Sequence, residues 1–347
     1  MNLVLRLAWR NLWRQPRRTW LTTGAMVFSN TLLVFMISLQ FGMYGLMIDN
    51  TLQAFTGHLQ IQAPGYLDDQ KMRQTVADIV PLAERLRAEF PDQRVAARAN
   101  GFALVSSEDR SYGVAVVGVQ PGYERNVSTL PGLVSEGRYL EDNDAAEIVI
   151  GAALARNLRV GIGDELTLLG SGLDGSFAAA VVIVTGIFDS GLAEFDRSIT
   201  EIPLGLFQDT FYMNGSGHHI VFNNGGIDGV VELKARVEAA LPTGADLVVH
   251  DWDALQPGLQ QAIKADMSSA FFMYGILVIL VAFSVLNTQL MSVLERTHEF
   301  GIVMSLGLTP GRLGRLVLLE TAIMGLMGLV LGAILGGLLT LWLSYNG

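Results

Sequence analysis

The sequence predicts an α-helical transmembrane protein with three spans and a large α/β domain between the first and the second. Three observations predict it. The uncharged runs Thr19 to Ile48, Met267 to Leu294 and Thr321 to Gly347 each exceed the roughly 20 apolar residues that cross a bilayer core. Charged residues make up only 16% of the chain, against roughly 25% in a soluble domain. Residues 49–266 carry 30 acids against 15 Lys plus Arg, net −15, and their apolar residues recur at strand and helix spacing rather than in one continuous run.

Residues 1–18 form a cationic leader, with Arg6, Arg10, Arg14, Arg17 and Arg18 and no acid before Asp49. Basic residues beside a span hold that end in the cytoplasm, so the N-terminus is expected inside and residues 49–266 outside. Leu3 and Leu7 with Trp9, Trp13 and Trp20 give this leader an apolar and aromatic contact beneath a cationic rim, as in an amphipathic surface helix. Pro16 then turns the chain into the bilayer. A signal peptide shares the basic start, but the apolar run of residues 19–48 is too long and no Ala-x-Ala site ends it. This first span carries Thr22, Thr23, Ser29, Asn30, Thr31, Ser38 and Gln40, polar groups that in a span face protein or a wet cavity. Its outer end, with Met36, Met43 and Met47, and the start of the second span, with Phe271 and Phe272, offer core packing, lipid contact or a soft surface suited to acyl chains.

The external region reads as a folded domain. His58 to Ala63 alternates as a half-buried strand does, and Pro64-Gly65 breaks it. Ile79, Leu82, Ala83, Leu86 and Phe90 share one helical face that Pro91 ends, and Val95 to Ser106 returns as a strand. A matching unit closes the domain, with Ser216–Phe222 as strand, Gly229–Leu241 as helix and Ala245–His250 as strand. These two strand–helix–strand parts form a membrane-proximal βαβ-type portion and are expected to share one sheet. Residues 107–210 form an inserted, mainly β lobe: Val114–Val119, Glu147–Ile150, Glu165–Leu169, Ala178–Phe188 and Glu201–Pro203 read as strands, with a short helix from Ala152 to Leu158.

Enzyme chemistry finds little support. Gly170 to Gly175 spells G-x-G-x-x-G, but a strand rather than a helix follows, so a hairpin turn is expected and not a dinucleotide site. His218 and His219 are neighbours in a strand and point to opposite faces, which predicts one buried and one exposed histidine rather than a metal pair. Asp142, Asp144 and Glu147 lack EF-hand spacing and read as a solvated loop. The chain has no cysteine, and so no thiolate site, and it contains no P-loop, nucleophile-elbow or zincin motif. No catalytic residue, bound cofactor or metal is expected, and with a net charge of −10 no nucleic-acid partner.

Residues 295–320, a mixed-charge segment with three acids and three arginines, are too short to be a domain. They suit a hairpin on the membrane surface that another subunit grips. In the third span Gly328, Gly332 and Gly336 recur every four residues, a stripe that lets another helix approach backbone to backbone, within the chain or across a dimer.

Several stretches carry a family resemblance. Ala8-Trp-Arg-Asn-Leu-Trp-Arg-Gln-Pro-Arg-Arg-Thr19 running into a span resembles the opening of the FtsX, MacB and LolC–LolE permeases. Glu295-Arg-Thr-His-Glu-Phe-Gly-Ile-Val-Met-Ser-Leu-Gly-Leu-Thr309 is similar to the segment after their second span. Gly118-Val-Gln-Pro-Gly, Gly137-Arg-Tyr-Leu, Glu147-Ile-Val-Ile-Gly and Leu158-Arg-Val-Gly-Ile-Gly-Asp-Glu-Leu-Thr-Leu168 resemble the MacB-type periplasmic core. Gly57 to Tyr66 and Gly186 to Asp196 lean toward the lipoprotein-release members, LolC and LolE.

This resemblance implies a type VII ABC transporter permease of the bacterial inner membrane, itself non-catalytic, with the large domain in the periplasm. It implies a partner dimer of cytoplasmic ATPases that holds the ATP and magnesium, and a second permease copy or paralogue. Membrane lipids and a periplasmic chaperone or adaptor are further expected partners. Glu295, Arg296, Glu299, Phe300, Gly301, Leu306 and Gly307 would form the segment coupled to the ATPase. The expected function is extraction of a lipoprotein or another lipidated, amphipathic substrate from the membrane; MacB-like efflux of drugs or peptides and FtsX-like signalling are the alternatives. The family pattern has four spans, so a fourth is expected beyond the three in this sequence.

Overall fold

The protein, described by a computed structural model over residues 9–10, 12–14, 16–242 and 244–346, divides into two compact units. One comprises residues 1–44 with 261–347, the other residues 45–260. Leu3 and Leu7, and so much of the expected leader helix, lie outside the described residues. Within them Trp13 meets Trp9 and Trp20 edge to face, at 6.0 and 6.3 Å between ring centres, and Thr19 Oγ1 donates to the Leu12 carbonyl.

Among the described residues three helices are long and apolar enough to cross a membrane. The first runs Pro16–Thr51 and continues as one π-turn over Leu52–Thr56. The second runs Pro257–Glu295 and the third Pro310–Asn346, with a nine-residue helix, Thr297–Ser305, between them. The third long helix thus opens at Pro310, within the segment 295–320.

Among its described residues the external domain has ten strands: β1 Leu59–Gln62, β2 Arg94–Ser106, β3 Ser111–Val119, β4 Val134–Gly137, β5 Glu147–Gly151, β6 Glu165–Ser171, β7 Phe177–Phe188, β8 Ile199–Pro203, β9 His219–Asn223 and β10 Val248–Asp251. They follow the order β10-β1-β9-β2-β3-β8-β5-β7-β4, with β6 joining β2 to β7. At one end β9 pairs antiparallel with both β1 and β2, and β1 pairs antiparallel with both β9 and β10. Hence β1 and β2 are parallel with β9 between them, and β9 and β10 are parallel with β1 between them. The strands at this end therefore interleave in one mixed sheet. The helices Ile79–Glu89 and Val230–Ala240 contribute Ile79, Ala83, Leu86, Leu233 and Val237 to a core shared with Leu59, Ile61, Val95 and Phe222.

The inserted residues 107–210 do not stand alone. β2 pairs with β9 through Arg94–Arg98, then with β3 and β6 through its second half. The pairings β3–β8, β8–β5, β5–β7 and β7–β6 bring the chain back to β2 and close a six-stranded barrel. Closure leaves no free edge within the ring, and Ala103, Val105, Val114, Ile148, Leu168 and Val182 fill it. Both β3 and β6 pair with the second half of β2. Gly170–Gly175 is the β6–β7 turn, with the Gly172 N–H on the Ser176 carbonyl at 2.9 Å.

Two expectations about burial are corrected. β1 is not half-buried: all four residues are inside, because it is a central strand, and Gln60 and Gln62 bond each other at 2.6 Å. His218 and His219 are both buried. Both sides of the chain are covered here, at the entry to β9: His218 stacks on Tyr66 at 5.1 Å while His219 lies on the side of Arg98. The flanking strands are also shifted: β9 starts at His219 rather than Ser216, and β10 at Val248 rather than Ala245.

Candidate functional site

In the hairpin, the structure separates residues that hold the short helix from residues that present it. Arg296 is mostly covered and reaches Glu299 at 3.4 Å and Glu320, at the base of the third long helix, at 3.3 Å. Its guanidinium lies 5.1 Å from the centre of the Phe300 ring, and Phe300 and Glu320 are buried. Gly307 ends the helix with φ +97°. The Gly307 N–H donates to the Met304 carbonyl and the Leu308 N–H to the Val303 carbonyl, the paired bonds of a Schellman ending. Thr309 and Pro310 then start the next helix, Pro at its first turn, where a missing N–H costs nothing. The opposite face is bare: Glu295, Glu299, Gly301, Ile302, Val303 and Met304 are exposed, and Leu306 is 83% exposed. This leaves an apolar strip with acids beside it.

Among the long helices, the first and third meet along the glycine stripe. A methyl group placed on Gly328 would fall 2.6 Å from Met26 Cβ, on Gly332 2.5 Å from Asn30 Cβ, and on Gly336 2.9 Å from Val34 Cβ. Thr31 Oγ1 adds a bond to the Gly332 carbonyl. The first and second helices are tied at Asp266, which accepts from Tyr44 and from Gln40 at 3.0 Å, while Tyr274 donates to Gln40 at 2.5 Å. Below this tie they part around a cavity of about 420 Å³ lined by Thr22, Ser29, Ser284 and Thr288 among apolar neighbours. Met36, Met43, Met47, Phe271 and Phe272 are all exposed on their helices. Neither Asp266 nor Glu320 was among the sequence candidates; each is a lone acid just before an apolar run.

In the external domain the buried polar groups gather at Arg98, which is fully buried and forms a bidentate pair with Glu124. Glu201 accepts from the Tyr139 hydroxyl at 2.6 Å. Burial, and then the charge of Glu124, push the Glu201 carboxyl up to about 8, against the pull of Tyr139 and Arg98. Burial lowers His218 to about 4; burial and then Arg98 lower His219. These shifts set opposite slopes. The neutral buried histidines contribute stability that is present above their usual 6.5 and lost as pH falls toward about 4. Glu201 holds a proton that the unfolded chain releases near 4.5, so its contribution declines as pH rises to about 8. Between pH 6.5 and 8 only the second slope acts, about 1.4 kcal/mol per pH unit for one proton. Urea midpoints should therefore fall from pH 6.5 to 8 in the wild type, and that fall should vanish in Glu201→Gln. Asp142, Asp144 and Glu147 form no cation site: Glu147 pairs with Arg138, and no metal-sized group of His, Asp and Glu occurs among the described residues.

Residues 19–246 match the family described as MacB-like periplasmic core domain, and residues 271–346 the FtsX-like permease C-terminal family. The chain is similar to the lipoprotein-releasing system transmembrane protein LolC of Xylella fastidiosa, 24% identical over 72% of this chain and 62% of that protein. It is also similar to LolC of Neisseria meningitidis, 23% identical over 68% of this chain and 58% of that protein. It thus spans about 60% of the length of these relatives. Among solved structures, the periplasmic region of MacB from Actinobacillus actinomycetemcomitans aligns with a TM-score of 0.44 at 15% identity, over 61% of this chain and 96% of that one.

Proposed function

This chain belongs to the MacB-like periplasmic core domain family of ABC transporter permeases, and from that premise we propose that it couples ATP hydrolysis by a partner ATPase to movement of its external domain. The observation that carries the proposal is the hairpin. Its helix is fixed to the third long helix through Arg296 and Glu320, while Glu299, Gly301, Ile302, Met304 and Leu306 are left bare. A rigid, one-sided helix of this kind passes on a push. The nucleotide and its magnesium belong to the partner. The leader arginines favour a cytoplasmic N-terminus, with the hairpin on the same side and the acidic domain in the periplasm.

The substrate proposed is a lipoprotein or another amphipathic, acyl-bearing molecule drawn from the outer leaflet of the inner membrane. The similarity to LolC supports this, as do Met36, Met43, Met47, Phe271 and Phe272, exposed side chains suited to acyl chains. A second permease copy or paralogue would complete the assembly, and a periplasmic chaperone or adaptor would receive the substrate.

The test is ATPase stimulation by the chain reconstituted with its cognate ATPase. Leu306→Asp, which folds its charge into a docking surface, should weaken the complex by about 2 kcal/mol, roughly 30-fold in affinity. Arg296→Ala should uncouple hydrolysis while leaving the exposed residues in place. Full stimulation by both variants would overturn the proposal.

A further inference from the structure

The last turn of the first long helix belongs to the same compact unit as the external domain. Its last turn, Leu52–Thr56, closes with its own bond at Leu52 and leaves four carbonyls, those of residues 53–56, without partners inside the helix. Each is taken by a different donor. Leu52 O accepts from the Gly57 N–H at 2.7 Å, Gln53 O from the Thr129 N–H at 3.0 Å and Ala54 O from Ser128 Oγ at 2.9 Å. Thr56 O accepts from Gln60 Nε2 at 2.7 Å. Phe55 O accepts from Arg98 Nη1 at 2.5 Å, and the same guanidinium lies 4.3 Å from the centre of the Phe55 ring. Gly57 turns the chain into β1 with φ +76°, where a methyl group would come 2.2 Å from Val221 Cγ1. The helix end is bonded into the domain and not merely attached to it.

The donor at the centre of this joint is the one whose charge balance is unsettled. Arg98 on β2 faces Glu124 from the helix Pro121–Val127, Glu201 from β8, Tyr139 beyond β4 and His219 from β9. Arg125 covers the far side of Tyr139, 5.7 Å from its ring centre. One guanidinium thus stands against two buried carboxyls. Nε and Nη2 serve Glu124, and Nη1 serves Phe55. Glu201 uses one oxygen for Tyr139; its other oxygen is buried with no hydrogen-bond partner among the described residues. With a proton on Glu201 the cluster is neutral and the orphan oxygen costs little. Without it, a buried negative charge has one cation within reach, and the nitrogen of that cation not committed to Glu124 is the one on Phe55.

We propose that Arg98, Glu124 and Glu201 form a proton-operated anchor for the first long helix, closed on the Phe55 carbonyl when the carboxyl pair carries one proton and released when that proton leaves. The function of the anchor rests on the reading that this helix carries motion to the domain: a closed anchor passes the motion on, an open one lets the helix end slip. Arg98 acts here as a positioning residue. The elevated affinity of Glu201 for its proton, with a midpoint at about 8, puts the release within reach of mildly alkaline conditions.

The test is amide hydrogen exchange at Gly57 and Thr129 in the full chain in nanodiscs without ATPase, at pH 7 and pH 9, corrected for intrinsic exchange. The closed fraction should fall from about nine-tenths to about one-tenth, so protection in the wild type drops roughly tenfold. Glu201→Gln, which keeps the shape and removes the titration, should hold protection constant. Tyr139→Phe removes a hydroxyl that stabilises the ionised carboxylate and should move the midpoint to higher pH. Protection that is flat in the wild type, or that falls identically in Glu201→Gln, overturns the anchor. The measurement needs no ATPase, so its failure leaves the coupling proposal standing; loss of the coupling proposal likewise leaves the exchange result intact.

Discussion

Arg98→Ala lowers the stability of the external domain by about 3–5 kcal/mol, the expected cost of leaving a buried charge without its partner. The residue is completely enclosed and holds three things at once: both oxygens of Glu124, the Phe55 carbonyl and the face of the Phe55 ring. Removing it strands the Glu124 carboxylate, itself fully buried, beside a Glu201 that already has an unbonded oxygen. Lysine does not repair the loss, because an ammonium cannot reproduce the two-pronged contact. Replacing both partners tells the pair from the packing. Arg98→Met with Glu124→Leu should cost much less than Arg98→Ala, since no charge is left behind. Chemical denaturation followed by the β-sheet signal measures all three.

Gly332→Val separates the first and third long helices, with an expected cost of about 1–3 kcal/mol for forcing atoms into a filled contact. The first methyl already meets Asn30 Cβ at 2.5 Å and the Val27 carbonyl at 3.0 Å, so the helices must move apart along the stripe. At Gly325 and Gly337 an added Cβ meets nothing within 4 Å, so the same substitution there should leave stability within about 0.5 kcal/mol of the wild type. The three variants change the same side chain in the same helix, so composition and helix propensity cancel. Steric-trap unfolding in bicelles reads the difference; equal effects at the three positions would refute close packing of the stripe on the first helix.

The parts of this protein legible in its sequence are those written in local spacing. Ile79, Ala83 and Leu86 recur on one face, and the helix Ile79–Glu89 buries those three. Gly172 and Gly175 interrupt two apolar stretches, and a hairpin turns there. The barrel was hidden because its closing pair joins Ala103–Ser106 to Thr167–Gly170, and nothing in either strand names the other. The Arg98 cluster draws one residue from each of five separated segments, so no window along the chain contains it. Two neighbouring histidines read as one inside and one outside because alternation fixes opposite faces, not whether each face is covered. In the hairpin, residue types identified the segment, but the distinction between Arg296 and Phe300, which hold it, and Leu306, which it presents, depends on Glu320 in the next helix.

The central claim is that nucleotide turnover in a partner ATPase moves the external domain through the hairpin. The chain has no cysteine, so Phe177→Cys at the exposed barrel hairpin and Leu326→Cys on the exposed side of the third long helix accept spin labels at those two positions alone. With the cognate ATPase assembled in nanodiscs, the distance distribution between the labels is expected to shift when ATP and vanadate are added, and to stay fixed when the chain also carries Leu306→Asp. A distribution unchanged by nucleotide in a complex that hydrolyses ATP would contradict the account.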